Sequence, residues 1–319
     1  MAAEVAAEPA GLGKGMAEKI NIASISGGKD STAMVLHLKE QGIPFRAVHF
    51  DTGWEHAATY AYLRDVLPEY TGPIEVHSRE PELDERREAM AAELEALLGH
   101  RSPFVRWCIK KGGFPGRLRR FCTEQLKVLT ARDVMRAEHD AGRLPVNVVG
   151  IRADESARRS KMPERELSTT LDCMVWRPLI RWSEQDVINI HKRHNVPPNP
   201  LYLQGARRVG CWPCVHARKS DLRMLDESRI QVMEALERTI GILARERRER
   251  AGTLDTWEPP AFYQSTKANS AGRYPPLPIR RMVEWGNTAR GGRELDRQAS
   301  LPGMNDGCLR WGMCDLGGN

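Results

Sequence analysis

The feature that most constrains the fold is a short apolar segment followed at once by a glycine-rich turn. Residues 19–25, KINIASI, are apolar and rich in β-branched side chains, as in a buried strand. Residues 26–31, SGGKDS, follow directly. Residues 31–41 then carry apolar side chains at helical spacing and end before Gly42. The order strand, tight turn and helix predicts the first unit of an α/β sheet.

The same alternation continues along the chain. Further strands are predicted at 45–50, 73–78 and 145–151, and helices at 56–70, 81–99, about 123–140 and 182–195, the last with Ser183 as N-cap and Asp186 in the capping-box position. Strands that alternate with helices are typical of a doubly wound parallel sheet. We therefore predict an α/β, Rossmann-related fold with a helical and irregular C-terminal extension.

Three regions are predicted from changes in composition. Residues 1–18 are rich in Ala, Gly and Glu and are expected to form a flexible tail. Residues 19–220 form the nucleotide-binding α/β domain with its cysteines. Residues 221–319 form the extension, with one long charged helix over 220–250 and a Pro-, Gly- and Trp-rich part after 251.

Charge, apolar runs and cysteine count limit the classes of function that the protein can have. The 319 residues carry a net charge of +6 and a pI of about 9.0, which fits an anionic substrate or partner but also an ordinary basic protein. No apolar run has the length of a membrane span, and the N-terminus lacks the pattern of a secretory signal. Seven cysteines, an odd number, argue against a disulfide framework. We expect a cytoplasmic protein without a membrane partner.

The turn SGGKDS has the residue types of an anion site. Gly27 and Gly28 let the backbone approach a phosphate, Lys29 supplies a positive charge, and the helix that follows directs its N-terminus to the same point. Asp30 repels phosphate unless a cation lies between them, so it suggests either Mg²⁺ or an N-cap. A plain tight turn is the alternative. The pattern is neither GxxxxGK[ST] nor GxGxxG.

Several segments together carry a family resemblance. SGGKDS resembles the PP-loop of the adenine-nucleotide α-hydrolase superfamily, and FDTG at 50–53 and VVGIRADESARR at 148–159 resemble segments of the phosphoadenosine phosphosulfate (PAPS) reductase-like family in it. Further matching segments are RRFCTEQLK (119–127), RPLIRWSEQDV (177–187), NPLY (199–202) and RVGCWPC (208–214). The resemblance covers residues 20 to about 225.

This resemblance implies a set of nucleotide-site residues. The residues expected to bind the nucleotide are Ser24, Ser26, Gly27, Gly28, Lys29, Asp30, Ser31, Asp51, Thr52, Gly53, Gly150, Arg152 and Ser156. Those expected to take part in the reaction are Lys29, Asp30, Arg152 and Arg158, the arginines by clamping phosphate or sulfate together with Arg159. The nucleotide is expected to be ATP or a related adenine nucleotide.

Cysteines form a second candidate site. Cys211 and Cys214 form a CxxC pair, and zinc, a redox disulfide and an iron–sulfur cluster all suit such a pair. The family resemblance implies that Cys122, Cys211 and Cys214 hold a [4Fe-4S] cluster, with Zn²⁺ as the main rival. Cys108 is the first candidate for a fourth ligand, followed by Cys173 and His216. Adenylylsulfate reductases have a second cysteine where Phe121 stands here.

Two enzymatic functions are expected in order of preference. Lys29 and Asp30 resemble the loop of enzymes that split ATP between its α and β phosphates. This resemblance favours an ATP pyrophosphatase that adenylylates a substrate and then transfers sulfur to it. Mg²⁺ and a sulfur-donor protein are its expected partners. The alternative is a PAPS or adenylylsulfate reductase that uses Cys308 or Cys314. The C-terminal E-C-G-x-H segment of those reductases is absent.

A third hypothesis is a nucleic-acid-binding accessory protein with a regulatory nucleotide site. Residues 106–120, RWCIKKGGFPGRLRR, are strongly basic and contain Trp107 and Phe114, which suits phosphate contact with base stacking. A solvated loop that orders the cysteines is the alternative interpretation of this stretch.

Overall fold

The computed structural model describes residues 18–116, 119–254, 258–265, 267–270, 272, 274–288 and 311. Its centre is a sheet of six strands: β1 (Lys19–Ile25), β2 (Arg46–Phe50), β3 (Ile74–His77), β4 (Leu144–Val149), β5 (Arg165–Ser168) and β6 (Cys173–Trp176). The strands lie in the order β3-β2-β1-β4-β6-β5. The central strand β1 pairs in parallel with β2 on one side and β4 on the other. The carboxyl ends of these three strands therefore meet at one edge.

The predicted α/β class with a parallel sheet is confirmed, with one departure at the edge. β5 pairs antiparallel with β6 and forms a hairpin that the sequence analysis did not predict. β5 lies at the edge of the sheet and its Leu167 is 70% exposed, so the strand has no buried apolar run. Hydrophobic periodicity is therefore too weak there to mark the strand.

Twelve α-helices are described. Their bounds are α1 (Lys29–Glu40), α2 (Ala57–Ala61), α3 (Leu67–Thr71), α4 (Glu85–Leu98), α5 (Pro103–Lys111), α6 (Phe121–Thr123), α7 (Leu129–Asp140), α8 (Glu184–Arg193), α9 (Pro200–Leu203), α10 (Lys219–Arg223), α11 (Glu227–Arg250) and α12 (Ile279–Gly286). Single π-helical turns, Tyr62–Val66 and Glu124–Val128, join α2 to α3 and α6 to α7. The predicted helices 56–70 and 123–140 are thus each continuous but contain a π-turn.

Side-chain caps mark the first residues of α8 and α11. α8 begins as predicted, because the Ser183 hydroxyl accepts from the Asp186 backbone N–H and the Asp186 carboxylate accepts from the Ser183 N–H. The single helix predicted over 220–250 is wrong, since α10 and α11 are separate. The Asp226 carboxylate accepts a hydrogen bond from the Arg229 backbone N–H at 2.7 Å, and this N-cap starts α11.

Apolar packing divides the described core into parts that position different sites. Leu36 and its neighbours pack α1 against the sheet, whereas Val48 lies in a separate cluster with residues of α7. A second large cluster joins α4, α5 and α11, and Cys108, Cys122, Cys211 and Cys214 lie in or against it. The long helix α11 therefore supports the cysteine region, although it lies in the predicted C-terminal extension.

The described part of that extension contains a two-stranded ribbon of β7 (Tyr263–Gln264) and β8 (Pro276–Leu277), followed by α12. Trp311 is 2% exposed and packs against His191 and Tyr202. The helical and irregular character predicted there is confirmed. The predicted tail 1–18 lies, apart from Glu18, outside the described residues. The division at residue 220 stays a prediction. Within the described residues, every helix is too short or too polar to span a bilayer.

Candidate nucleotide-binding site and neighbouring cysteine turn

The turn between β1 and α1 needs glycine at its first position. Gly27 has a φ of +69°, which favours glycine, and a Cβ built there would lie 2.9 Å from Thr59 Cγ2. Gly28 is the N-cap of the 12-residue α1, and no side chain caps this end. The N-terminal amides of α1 therefore meet at the carboxyl end of β1, where an anion binds most favourably.

Side chains from distant parts of the chain hold this loop. The Lys29 backbone N–H donates to the Tyr202 hydroxyl at 3.1 Å, and the His191 ring Nε2 donates to the Lys29 carbonyl at 3.0 Å. Asn199 donates from its amide nitrogen to the Gly27 carbonyl at 3.1 Å. These three positioning residues were not predicted as site residues. Asn199 and Tyr202 lie in NPLY, a segment that resembles the family, but no local sequence pattern indicates which loop this segment contacts.

The Lys29 ammonium is buried among carboxylates. The side chain is 7% exposed, and Nζ lies 3.4 Å from Asp30 Oδ2 and 3.4 Å from Glu184 Oε1. It also lies over the Tyr202 ring, 5.2 Å from the centroid. A buried cation at a helix N-terminus is suited to hold a polyphosphate, whose oxygens would replace the two long carboxylate contacts.

Asp30 is paired with an arginine from the segment after β4. Arg152 Nε donates to Asp30 Oδ1 at 2.5 Å, and Arg152 Nη1 donates to both Asp154 oxygens at 2.6 Å. Burial by itself would lower the pKa of Arg152. The Asp30 and Asp154 carboxylates together have the larger effect and raise this pKa, so the guanidinium stays charged. The N-cap interpretation of Asp30 is wrong, because Gly28 is the N-cap and Asp30 lies in the first turn.

The segment after β4 approaches the loop closely at Gly150. A Cβ built on Gly150 would lie 2.5 Å from the Asp30 carbonyl oxygen and 2.8 Å from Ser31 Cα. Only glycine fits this approach, which sets the distance between β4 and α1 and brings Arg152 to Asp30.

The other predicted residues of the loop and of the segment after β4 have different surroundings. Ser31 Oγ donates to the Gly28 carbonyl at 2.9 Å and lies 3.2 Å from Ser26 Oγ, whereas Ser24 donates to Asn147 Oδ1. Ser156 and Arg158 are exposed. The contacts of all these residues with a nucleotide stay predictions.

The DTG segment forms a hydrogen-bonded turn at the carboxyl end of β2. Asp51 Oδ1 accepts from the Gly53 backbone N–H at 2.8 Å and from the Tyr60 hydroxyl at 2.9 Å. Thr52 is 1% exposed and its hydroxyl donates to Glu55 at 2.8 Å. Gly53 has a φ of +64°, and a Cβ there would lie 2.5 Å from Pro103 Cδ. The segment is thus rigid before any ligand binds.

The CxxC turn lies beside the nucleotide loop. The Val209 carbonyl oxygen is 3.8 Å from the position of a Cβ built on Gly28. Cys211 forms an antiparallel bridge with Glu55, which directly follows the DTG turn and Trp54. The Tyr263 hydroxyl donates to the Cys214 carbonyl at 3.0 Å. One compact region therefore contains the loop, the DTG turn and the cysteine pair.

Arg229 of α11 contacts both the cysteine turn and the residue after the DTG segment. Its Nε donates to the Trp212 carbonyl at 2.7 Å, and its guanidinium lies over the Trp54 ring at 4.0 Å. The Trp54 indole donates in turn to the Pro213 carbonyl at 3.1 Å. Burial lowers the pKa of Arg229 to about 10, which leaves the guanidinium charged at neutral pH.

The candidate cysteine ligands differ in their surroundings. Burial raises the pKa of the Cys211 thiol to about 11, and the nearby Lys127 ammonium opposes this rise. Negative charge on Cys211 raises the pKa of Lys127, and Cys214 and Cys122 act on Lys127 in the same direction. Burial, and then the charge of Cys214, raises the pKa of Cys122. Lys127 is thus the cation at the centre of this group.

The three candidates for a fourth ligand are separated by the structure. Cys108 is fully buried on α5, and the charge of Cys122 contributes to its raised pKa after burial. Cys173 lies in β6 and packs in a different hydrophobic cluster, with β1 and α7. His216 is exposed. These surroundings favour Cys108 over the other two.

The basic stretch 106–120 begins as a helix, not a solvated loop. Arg106 is 2% exposed and pairs with Glu88 and Glu95. Phe114 packs edge-on against Phe262 in the core. The Trp107 indole donates to the Arg79 carbonyl. Both predicted stacking residues therefore have structural contacts, and nucleic-acid binding by this stretch stays a prediction.

A family profile matches most of the chain, and individual proteins are similar to parts of it. Residues 20–217 match the profile of the phosphoadenosine phosphosulfate reductase domain. The chain is 37% identical over 232 residues to an uncharacterized 37.8 kDa protein in the gpa 5′ region of Escherichia phage 186, covering 64% of this chain and 69% of that protein. It is 26% identical over 204 residues to an adenosine 5′-phosphosulfate reductase of Burkholderia cepacia, covering 63% and 71%. A phosphoadenylyl-sulfate reductase structure from Candida auris, in complex with phosphate, aligns with 17% identity and a TM-score of 0.42, covering 61% of this chain and 82% of that chain.

Proposed function

Since the chain belongs to the PAPS reductase family of PP-loop proteins, we propose that it is an enzyme that cleaves ATP between the α and β phosphates to activate a substrate for sulfur transfer. The observation that carries this proposal is the buried Lys29 ammonium at the N-terminus of α1, with two carboxylates 3.4 Å away. A cation and the N-terminal amides of a helix at one point stabilise a leaving pyrophosphate.

The reaction would proceed by displacement at the α-phosphorus. An oxygen of the acceptor substrate attacks the α-phosphate, the bond to the β-phosphate breaks, and pyrophosphate leaves with the electron pair. Lys29 and the α1 amides hold the negative charge of the leaving group. Arg152 Nε donates to Asp30 Oδ1 at 2.5 Å and keeps this carboxylate oriented, so the loop does not reorganise during the step.

The carboxylates near Lys29 fit a magnesium ion. Mg²⁺ prefers carboxylate and phosphate oxygens, and Asp30 and Glu184 each place an oxygen 3.4 Å from the same ammonium. Once Lys29 turns to the phosphates, Asp30 Oδ2 and Glu184 Oε1 are the protein ligands in place for the cation. Bound there, Mg²⁺ would neutralise charge on the β and γ phosphates.

The cysteine region is the proposed site of a [4Fe-4S] cluster, with zinc as the alternative. Zinc–sulfur bonds of about 2.3 Å place the sulfurs of a tetrahedral site about 3.8 Å apart. Among the described residues, Cys122, Cys211 and Cys214 do not all lie within 4.8 Å of one another. A cubane cluster binds each cysteine through a different iron and so needs wider spacing. Lys127 supplies positive charge beside an anionic cluster.

The second half of the proposed reaction transfers sulfur. A sulfur nucleophile displaces AMP from the adenylylated substrate, so a carbon–oxygen bond breaks and a carbon–sulfur bond forms. The cluster, when bound, would supply a place to hold that sulfur. The 3.8 Å approach of Val209 to the position of a Gly28 Cβ supports this coupling, because it puts the cysteine turn next to the nucleotide loop.

The decisive experiment measures the products of nucleotide turnover. Anaerobically purified protein is incubated with Mg²⁺-ATP, and AMP and pyrophosphate are quantified. The same preparation is incubated with adenylylsulfate or PAPS and a thiol, and sulfite is quantified. AMP and pyrophosphate in equal amounts from ATP support the proposal. Sulfite release without pyrophosphate formation would replace it with the second function.

That second candidate is a sulfonucleotide reductase. Relatives named adenosine 5′-phosphosulfate reductase favour it. So does Trp311, which packs against Tyr202 and His191 directly behind the loop. Trp311 lies three residues from both Cys308 and Cys314 in sequence, and these cysteines lie outside the described residues. Under this function, Cys308→Ser or Cys314→Ser abolishes sulfite release, whereas ATP cleavage needs neither thiol.

A further inference from the structure

His49 has a buried ring nitrogen that the nucleotide chemistry does not use. The side chain is 4% exposed at the carboxyl end of β2. Its Nδ1 lies 2.9 Å from the Ile25 carbonyl oxygen, which can only accept, so Nδ1 carries the hydrogen. In the neutral ring Nε2 then bears the lone pair, and among the described residues this buried atom has no hydrogen-bond partner. An unsatisfied buried polar atom destabilises the folded state unless it gains a partner.

Two carboxylates lie close to the His49 ring. One ligand atom from each of His49, Asp51 and Glu55 can be chosen so that all three lie within 4.8 Å of one another. In the part of the chain that the structure describes, this is the one group of three His, Cys, Asp or Glu side chains with that spacing. Glu55 is 5% exposed, and Asp51 is partly buried.

The surrounding hydrogen bonds resemble the outer shell of a metal site. Histidines that bind metals usually donate their second ring N–H to a carbonyl or carboxylate, as His49 does to Ile25. Ligating carboxylates are usually oriented by other donors. Here the Tyr60 hydroxyl lies 2.9 Å from both Asp51 Oδ1 and Glu55 Oε2, and the Thr52 hydroxyl donates to Glu55. The three candidate ligands are thus oriented without using His49 Nε2.

We propose that His49, Asp51 and Glu55 bind a first-row divalent cation, of which Mn²⁺ and Zn²⁺ are the best suited. One imidazole nitrogen and two carboxylate oxygens match the ligand preferences of these ions, whereas Mg²⁺ prefers oxygen ligands alone. Lys127 and Arg229 both interact electrostatically with Glu55, and the two carboxylates balance these two positive charges.

This site is distinct from both sites of the proposed reaction. The carbonyl that orients His49 belongs to Ile25, directly before the phosphate loop, and Glu55 forms a backbone bridge with Cys211. The cation would therefore stand between the nucleotide loop and the cysteine turn. The inference gives Asp51 a metal-binding role in place of the expected contact with the nucleotide. It does not rest on ATP cleavage.

Mn²⁺ is the probe that separates this site from the cysteines, because it prefers oxygen and nitrogen ligands over thiolates. Full-length protein, freed of metals by a chelator and without nucleotide, is titrated with Mn²⁺ while free Mn²⁺ is measured by electron paramagnetic resonance. We expect one Mn²⁺ per chain. His49→Gln and Asp51→Asn each weaken binding at least tenfold, and Tyr60→Phe weakens it about tenfold by loosening both carboxylates.

Matched variants locate the bound ion. Asp30→Asn and Cys211→Ser are expected to keep the Mn²⁺ affinity of the unaltered protein, since neither side chain is among the proposed ligands. Circular dichroism and unfolding temperature identify variants that retain the fold, and Asp51→Asn serves if His49→Gln does not fold. The proposal is overturned if the unaltered protein binds no Mn²⁺, if both folded ligand variants bind it normally, or if Asp30→Asn abolishes binding.

Discussion

Arg152 Nε lies 2.5 Å from Asp30 Oδ1 and joins the segment after β4 to the first turn of α1. Both side chains are shielded from water, since Arg152 is 4% exposed and the Asp30 side chain 16%. Loss of one partner leaves the other charge poorly compensated in a place of low dielectric. The pair therefore connects the stability of the sheet edge with the shape of the nucleotide loop.

We expect Arg152→Met to lower the free energy of unfolding by about 3 kcal/mol, the range for breaking a buried ion pair. Chemical denaturation measures it. Combining Arg152→Met with Asp30→Asn should cost less than the sum of the single changes, because the second change removes the uncompensated charge. The control is the exposed pair of Arg193 and Glu40, where Arg193→Met should cost less than about 1 kcal/mol. Additive costs would show that the pair is not coupled.

Lys29→Ala tests the role of the loop in ATP cleavage. Removing one preorganised group that stabilises developing charge lowers kcat by about 10²–10³. The measurement is pyrophosphate released per chain from Mg²⁺-ATP. Lys39→Ala is the matched control, because Lys39 lies on the same helix in its last turn and is exposed. It should keep the activity of the unaltered protein. An active Lys29→Ala enzyme would contradict this role.

Cysteine variants test the cluster. Anaerobic preparations of Cys122→Ser, Cys211→Ser, Cys214→Ser and Cys108→Ser are expected to lose most of the roughly four irons per chain that a [4Fe-4S] centre holds. Iron and sulfide analysis with a visible spectrum measures this loss. Cys173→Ser is the control, since Cys173 packs in another cluster, and should retain iron. Zinc in place of iron, or full iron content in Cys211→Ser, would refute the assignment.

Gly150→Ala tests the close approach of β4 to α1. The new Cβ would lie 2.5 Å from the Asp30 carbonyl oxygen, so backbone must shift, and we expect a loss of about 2–3 kcal/mol in the free energy of unfolding. Nucleotide affinity should fall with it. Gly113→Ala is the control, because a Cβ there meets no atom within 4 Å. Equal stability of the two variants would show that the loop tolerates expansion.

His191 predicts a pH dependence of stability. Burial lowers the pKa of this histidine below its ordinary value of 6.5, so the unfolded chain binds the proton more readily than the folded one. Its contribution to stability is complete above pH 6.5 and is lost as pH falls, by up to about 1.4 kcal/mol per pH unit. Unfolding of His191→Gln should show a shallower decline between pH 7 and 5. An unchanged decline in stability of His191→Gln would contradict this contribution.

The loop itself was predictable because its signals are local. Apolar residues 19–25, two glycines and a helical repeat are adjacent in sequence, and so they specify strand, turn and helix without distant contacts. The pairing of Asp30 with Arg152 was not predicted, although both were named as site residues. It depends on β4 lying beside β1, which is a property of sheet order.

The residues that hold the loop were missed for the same reason. His191 and Tyr202 act on Lys29 from α8 and α9, and their contact depends on how those helices pack. His49 was predicted only as part of a strand, because the sequence does not show that its ring Nε2 is buried without a hydrogen-bond partner. The edge strand β5 lacked the apolar run that marks buried strands.

The contact of Trp311 with His191 and Tyr202 has a consequence for biosynthesis. The loop around Lys29 leaves the ribosome well before Trp311 is added, after an interval on the order of tens of seconds at about 5–20 residues per second. Until then the aromatic surface behind the loop stays open to water. The surroundings of the nucleotide loop in a growing chain are therefore completed long after the loop itself has been synthesised.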